Sequence, residues 1–340
     1  MSRPLPTIAL TLGDVAGIGP EVVVRACADL RVSAACQPVI VGHPDVVRRA
    51  ITHADLKFEV ADVAQPDESP PLGKIACWNP PNAPNDVDDV PPGHIDARAG
   101  RAAYEYLVAA AKAALAKQVA AITTAPLSKA ALHLAGKKYP GHTEILAEVC
   151  GVREFGMMLF LPSGNAVKSP HGLGVVHVTL HTSIRSVPDL LTTTGVAEKI
   201  ELIDSFMRRV GCVAPRIAVC ALNPHAGEEG IFGDEESRII APAVQTVLGQ
   251  GRINVTGPLP ADTLFRRAAA GEFDAVVAMY HDQGHIAFKL IGFQSAVNVT
   301  LGLPIVRTSP SHGTAFDIAW QRSADPSGMI EAILVAAKLL

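Results

Sequence analysis

The stretch Ala275-Val276-Val277-Ala278-Met279-Tyr280-His281-Asp282-Gln283-Gly284-His285 decides the reading of this chain. A run of apolar or small residues stops abruptly at histidine, carboxylate and amide. The same event occurs twice earlier: residues 173–180 end at His181, and residues 217–222 end at Asn223-Pro224-His225. Short apolar runs that end in functional groups read as buried strands of an open α/β sheet, whose ligands bind beyond the carboxyl ends. Three strands that each deliver a histidine to that edge point to a catalytic metal site with His181, His225 and His281 as ligands, since imidazole suits zinc and related divalent ions. The alternative is three capping or hydrogen-bonded loop histidines. His177, inside its run, reads as a core residue.

Working outward, short β-rich runs alternate with helical patterns along the 340 residues, which predicts an α/β fold with a largely parallel sheet. Strands are expected at 7–12, 38–41, 119–123, 155–161, 173–180, 216–222 and 275–279. Helices are expected at 98–117, 189–209, 234–248 and 328–340, and one opens around 142–144. Residues 65–93, rich in proline, asparagine and aspartate, read as an irregular excursion. Hydrophobic residues make up 49% of the chain and charged ones 18%, enough for a large core and two domains. The net charge of −4 supplies no basic footprint for nucleic acid. The six cysteines lack CxxC spacing and read as reduced core residues of a cytoplasmic protein. The opening MSRPLPTIALTLGD has no signal-peptide pattern, and the most apolar window, 107–123, is interrupted by Lys112, Lys117 and Gln118, so no membrane span is expected.

A second constellation is cationic and polar: Lys289, Asn298 and Arg307. Lys289 sits between Phe288 and Leu290, where a charge needs an anionic partner, and Arg307 follows the apolar residues 303–306 as if at a strand end. Together they can clamp a carboxylate or phosphate, or else pair with protein carboxylates. A third is Pro140-Gly141-His142-Thr143-Glu144, where Thr143 is a good N-cap and a helix start attracts anions. Capping explains Thr143 and Glu144 but not His142. The loop Gly13-Asp14-Val15-Ala16-Gly17-Ile18-Gly19-Pro20-Glu21 reads as a tight structural turn, since it does not satisfy GxGxxG. Neither a GxxxxGK[ST] loop nor a GxSxG elbow occurs, which argues against a kinase or serine hydrolase.

With these blocks in place, the chain resembles the 4-hydroxythreonine-4-phosphate dehydrogenase family over nearly its whole length. The blocks are GDVAGIGPE (13–21), TTAPLSK (123–129), YPGHTE (139–144), LNPHAGEEGIFGDEE (222–236), GPLPADTLF (257–265), YHDQGH (280–285) and VNVTLGLPIVRTSPSHGTAFDIA (297–319). Val15 and Ser311 depart from the family's usual proline and aspartate. HLAGKKYPGHTE and DQGHI look closer to the branch that oxidises D-threonate or D-erythronate 4-phosphate.

The resemblance implies an isocitrate/isopropylmalate dehydrogenase-like fold: two α/β domains with the active-site cleft between them, 1–130 plus 295–340 on the cofactor side and 131–294 carrying the metal ligands and dimer interface. It implies a homodimer with a shared active site, and a divalent metal on His181, His225 and His281 with one ligand from the partner subunit. Zinc comes first, with magnesium, manganese and cobalt as alternatives. Substrate contacts would fall on His142, Thr143, Lys289, Asn298 and Arg307. His312, Gly313, Thr314 and Ala315 resemble the adenosine-binding loop of decarboxylating dehydrogenases, with NAD as cofactor and NADP as the alternative. Asp262 and His285 are the candidates for the general base. The expected activity is oxidation, with decarboxylation, of a small 4-phosphorylated hydroxy acid. A metal-dependent hydrolase or lyase without a redox step is the competing class.

Overall fold

The computed structural model describes residues 4–153, 155–164 and 166–340; Met1, Ser2 and Arg3 of the opening stretch lie outside them. Two compact units form, one from Met1–Phe155 with Leu303–Leu340 and one from Gly156–Gly302. Strands β1 (Thr7–Thr11), β2 (Gln37–Val41), β3 (Glu59–Val63), β4 (Lys74–Trp78) and β5 (Ala121–Thr124) belong to the first unit. The second holds β6 (Gly156–Leu161), β7 (Leu173–His177), β8 (Arg216–Cys220), β9 (Asn254–Leu259), β10 (Ala275–Ala278) and β11 (Val297–Leu301). The chain then returns to the first unit with β12 (Val306–Pro310).

In the first unit the strand order is β3-β4-β2-β1-β5-β12, and every pairing is parallel. Parallel strands covered on both faces read as continuous apolar runs, which is why Ile8, Ala9, Leu10, Ile40, Val41 and Ile122 are buried without alternation. Asp96 caps the long helix Ala97–Leu115 through its side chain, and the alanine-rich inner face of that helix lets it lie close to its neighbours. The helices Lys129–Leu134 and His142–Cys150 pack on it. The unit boundaries therefore fall at 155/156 and 302/303, later than the 130/131 and 294/295 expected from sequence.

In the second unit the order is β11-β6-β7-β10-β8-β9. The pairs β7–β10, β10–β8 and β8–β9 are parallel, whereas β6 runs antiparallel to both β7 and β11. The core under helices Ala261–Ala269 and His281–Gly292 comprises Leu159, Val175, Ala218, Leu264, Phe265, Val276 and Phe288.

Several expectations are corrected. The excursion 65–93 contains β4, which pairs parallel with β2 and β3. Gly141, not Thr143, is the N-cap of helix His142–Cys150. Arg307 sits inside β12, opposite Ile122 of β5, not at a strand end. Lys289 is exposed on helix His281–Gly292, so its apolar sequence neighbours do not bury it. The cysteines are free, all buried except the half-buried Cys150. Among the described residues, no helix is long and apolar enough to cross a membrane.

One close contact allows a direct check. A Cβ on Gly100 would lie 2.1 Å from the carbonyl oxygen of Ala131, a backbone atom that cannot swing away. Gly100→Ala should therefore cost about 1–3 kcal/mol through overpacking between helices. Thermal unfolding measures this, and an unchanged midpoint would refute the tight approach.

Candidate active site

The site grows out of the β7–β10 pairing. Ala278 lies opposite His177, and the ladder continues past both strands: Val178 N donates to Ala278 O at 2.9 Å and Thr179 N to Met279 O at 3.1 Å. Two parallel chains leaving the sheet side by side deliver His181 and His281 together, their ring centroids 5.8 Å apart. Both rings line a cavity of about 470 Å³ with Leu180, Thr182, Ser183, Ile184, Val187, Tyr280 and Asp282. His281 opens its helix, and its Nδ1 lies 2.6 Å from Asp282 Oδ1. A carboxylate on one ring nitrogen fixes the tautomer and leaves Nε2 as the donor toward a cation.

Behind His281 stands a stack. The His285 ring lies parallel to it, 3.7 Å away at 10°, and His285 Nδ1 is 3.2 Å from His177 Nε2. A Cβ on Gly284 would meet His177 Nε2 at 2.4 Å, so the glycine of the motif lets the helix start close over His177. Burial lowers the basicity of both imidazoles, His177 to about 3 and His285 to about 4, with neighbouring imidazoles adding to the effect. His177 is thus a core histidine, but one that braces the site. Gln283 ties the strand ends together: Oε1 accepts Met279 N at 2.7 Å and Nε2 donates to Ala221 O at 2.7 Å.

His225 follows β8, the other neighbour of β10, yet it does not join the pair. Residues His225 to Gly230 all have φ between 44° and 96°, a left-handed run in which only Gly227 and Gly230 are glycine. Each L-residue held there costs roughly 1–2 kcal/mol. The buried carboxylate of Glu236 holds the loop at its root: Oε1 accepts Leu222 N at 2.8 Å and Asn223 N at 2.7 Å, and Oε2 accepts Asn223 Nδ2 at 3.0 Å. The imidazole of His225 is left exposed. Among the described residues, no group of three His, Cys, Asp or Glu side chains is gathered to hold a metal. The donors within one chain therefore fit a divalent cation in part, as a braced pair that needs a further ligand. Sequence reading missed Glu236 and Asn223 as the anchors of this loop, although both fall in the block that drew notice.

The anion-binding candidates divide. In the first unit, Arg307 is 2% exposed and donates from Nη2 and Nε to Thr124 Oγ1 at 2.7 and 3.2 Å. Burial lowers its pKa to about 10, against the opposing pull of Glu144. His142 Nε2 donates to Ala125 O at 3.2 Å, and burial together with the charge of Arg307 lowers its pKa to about 3. A buried guanidinium beside a neutral imidazole at a helix start has the charge and the donors that an anion needs. Thr143 follows, half-buried, in the same helix. In the second unit, Asn298 lies in β11 with Oδ1 buried and without a hydrogen-bond partner. Asp262 is exposed in the first turn of Ala261–Ala269.

The loop 312–315 lies in the first unit. Thr314 O accepts Ile18 N at 3.0 Å, so the glycine loop 13–21 packs on it. His312 Nε2 is buried without a partner, and a Cβ on Gly313 would meet nothing within 4 Å. Ala315 has φ 43°. A ring nitrogen left without a partner, in a loop whose glycine has free space at its Cβ position, fits a nucleotide that supplies the missing bond.

With this geometry in hand, the likeness to known proteins is specific. The family described as "Pyridoxal phosphate biosynthetic protein PdxA" matches residues 34–336. The D-threonate 4-phosphate dehydrogenase of Pectobacterium atrosepticum is 43% identical over 334 residues, covering 98% of each chain. The crystal structure of a 4-hydroxythreonine-4-phosphate dehydrogenase from Burkholderia phymatum agrees with a TM-score of 0.82 at 44% identity, over 99% of both chains. Isocitrate dehydrogenase from Methylococcus capsulatus, 16% identical with a TM-score of 0.50 over 96% of this chain and 84% of that one, shares the fold alone. A match of this length and identity, on this α/β architecture, means that the chain belongs to the PdxA family of pyridoxal phosphate biosynthetic proteins and has an isocitrate dehydrogenase-like fold.

Proposed function

We propose that the chain is a nicotinamide- and divalent-metal-dependent dehydrogenase that oxidises the secondary alcohol of a small 4-phosphorylated hydroxy acid. Its substrate is D-threonate or D-erythronate 4-phosphate, or 4-hydroxythreonine 4-phosphate, and the β-keto product loses CO₂. The observation that carries this reading is the His181–His281 pair over its cavity, with His281 braced by Asp282. The names of the relatives support the substrate class.

His181, His281 and His225 would hold the cation, which when bound supplies Lewis acidity that lowers the pKa of an alcohol. His225 would come from a second copy of the chain. Its exposure, its strained loop and the incomplete donor set of a single chain all favour this. So does the apolar stripe Ile286, Leu290 and Phe293, which is 59%, 84% and 55% exposed at helical spacing. Arg307, His142 and Thr143 would bind an anionic group of the substrate; Lys289 and Asn298 would contact its remaining polar groups. His312, Gly313, Thr314 and Ala315 would hold the dinucleotide, the hydride acceptor. Of the two candidate bases, His285 has its Nδ1 3.2 Å from both His177 Nε2 and the carbonyl of His281. Its lowered basicity suits bracing better than proton removal, which leaves Asp262.

Mixing protein, Zn²⁺ or Mn²⁺, NAD⁺ and D-threonate 4-phosphate should generate NADH, with 4-hydroxythreonine 4-phosphate as the parallel arm. Phosphate release without NADH would instead establish the hydrolase class. His281→Ala should weaken metal binding by at least about tenfold with the fold retained, the scale expected for a lost ligand. Calorimetry with metal alone reads this, and an unchanged affinity would remove His281 from the ligand set.

Arg307→Ala should raise KM for the phosphorylated substrate at least about tenfold, the effect of losing a charge-assisted contact, while KM for NAD⁺ changes little. The reverse pattern would place Arg307 elsewhere. The charge states set the pH profile. His142 stays neutral above its pKa of about 3, and Arg307 stays cationic until the pH approaches about 10. Substrate KM should therefore be flat from about pH 7 to 9 and rise toward 10 as Arg307 loses its proton. A transition centred near pH 8 would show that another group governs binding.

A further inference from the structure

One fully buried carboxylate in the first unit has no part in the chemistry above. Glu21, 1% exposed, lies in the first turn of helix Gly19–Cys27. Its Oε2 accepts the backbone N–H of Trp320 at 2.6 Å and its Oε1 that of Arg322 at 3.1 Å. Four residues on, and so on the same helix face, Arg25 Nη1 donates to Ala324 O at 2.6 Å and reaches Arg322 O at 3.5 Å. A carboxylate on the N–H groups and a guanidinium on the carbonyls grip one segment from one helix, each through charge-assisted bonds.

That segment needs holding. Trp320 and Arg322 have φ of 58° and 64°, and Ala315, earlier in the same loop, has 43°. Non-glycine residues keep such conformations only where the surroundings over-determine them. The Trp320 side chain is fixed as well: Nε1 donates to Val15 O at 3.1 Å, and the Arg49 guanidinium lies 4.2 Å over the ring. At the other end of the loop, Thr314 O accepts Ile18 N at 3.0 Å, just ahead of the same helix. The backbone from 314 to 324 thus hangs at both ends from residues 18–25.

We propose that Glu21, assisted by Arg25, is a positioning residue for the dinucleotide: it fixes the shape of the loop that carries His312–Ala315 and thereby sets the affinity for NAD⁺. The inference rests on the reading of that loop as the cofactor side. Glu21 itself touches no reactant.

Glu21→Gln keeps the volume but turns one acceptor into an NH₂ group that faces a backbone N–H. Calorimetric NAD⁺ binding should weaken about tenfold, the loss expected for one such bond, while KM for the phosphorylated acid stays within about threefold. In a Trp78→Phe background Trp320 is the only tryptophan, since the chain has two, and its emission should shift to the red in the E21Q protein. A lowered unfolding midpoint with unchanged NAD⁺ affinity would make Glu21 merely structural and overturn the proposal. An equal loss for NAD⁺ and the acid would do the same. Should E21Q fail to fold, Arg25→Met, which removes the carbonyl contacts, carries the same expectation and the same refutation. Gly313→Ala separates this proposal from the reading beneath it, because the added methyl meets no protein atom within 4 Å. Weakened NAD⁺ binding in G313A with none in E21Q and R25M overturns the positioning role alone; no effect in any of the three removes the cofactor loop as well.

Discussion

The ladder between β7 and β10 is the constraint on which the second unit depends. Its buried N–H and C=O groups must be paired, and both strands bury their side chains on both faces. Register is then set twice, by the hydrogen bonds from Gly174–Ala275 to His177–Ala278 and by the core residues Val175, Val276 and Ala278. A slip of one residue would reverse every side chain along the strand. Because that slip is costly, the two histidines that follow have no freedom to drift apart. The bonds from Thr179 to Met279, through both N and Oγ1, carry the register beyond the strands to the level of the pair. Gln283 extends it sideways to β8. Precision at His181 and His281 is therefore inherited from backbone pairing, and no ring–ring attraction is needed to create it.

Other features of the molecule run against stability. Arg307 is a nearly inaccessible cation inside a parallel sheet, and His225 opens a left-handed run. Taking a charge from water costs several kcal/mol, and non-glycine residues in the left-handed region add more. Each burden is met locally. Thr124 accepts two bonds from Arg307, Glu144 supplies opposing charge, and Glu236 collects the N–H groups at the root of the His225 loop. Costs of this kind, one inside a strand and one in a loop, are what a binding site requires and a core does not.

The parts legible from sequence were those governed by apolar runs. The alternation of strands and helices, and the delivery of His181 and His281 from neighbouring strands, followed from where hydrophobic stretches stop. Strands that break this rule were missed or misplaced. β9 contains Gly257-Pro258, which is tolerated because β9 lies at the edge of its unit's sheet. β12 carries Arg307, Thr308 and Ser309 in a fully buried strand, so the apolar run 303–306 pointed to a strand that ends where β12 begins. β4 lies within a proline-rich stretch whose composition resembles a loop. Lys289 was misread for the opposite reason: apolar sequence neighbours on a helix project to different faces and do not imply burial. The left-handed loop at 225–230 has no sequence signature beyond its glycines, because its geometry comes from Glu236, six residues after it.

The proposed second copy follows from the same accounting. Within one chain the cation would have two imidazoles, and the third expected ligand sits on a strained, exposed loop. A strained loop that presents an imidazole to water lowers stability, even with its root held by Glu236. A helix whose outward residues are Ile286, Leu290 and Phe293 does likewise, since exposed apolar area is unfavourable by roughly 25 cal/mol per Å². Both liabilities lie in the second unit, and the helix with the stripe begins at His281 itself. A partner that covers the stripe and inserts its own imidazole beside His281 removes the two together. In that reading the unfavourable terms of the isolated chain are the favourable terms of the assembled site, and metal affinity and assembly become one linked equilibrium.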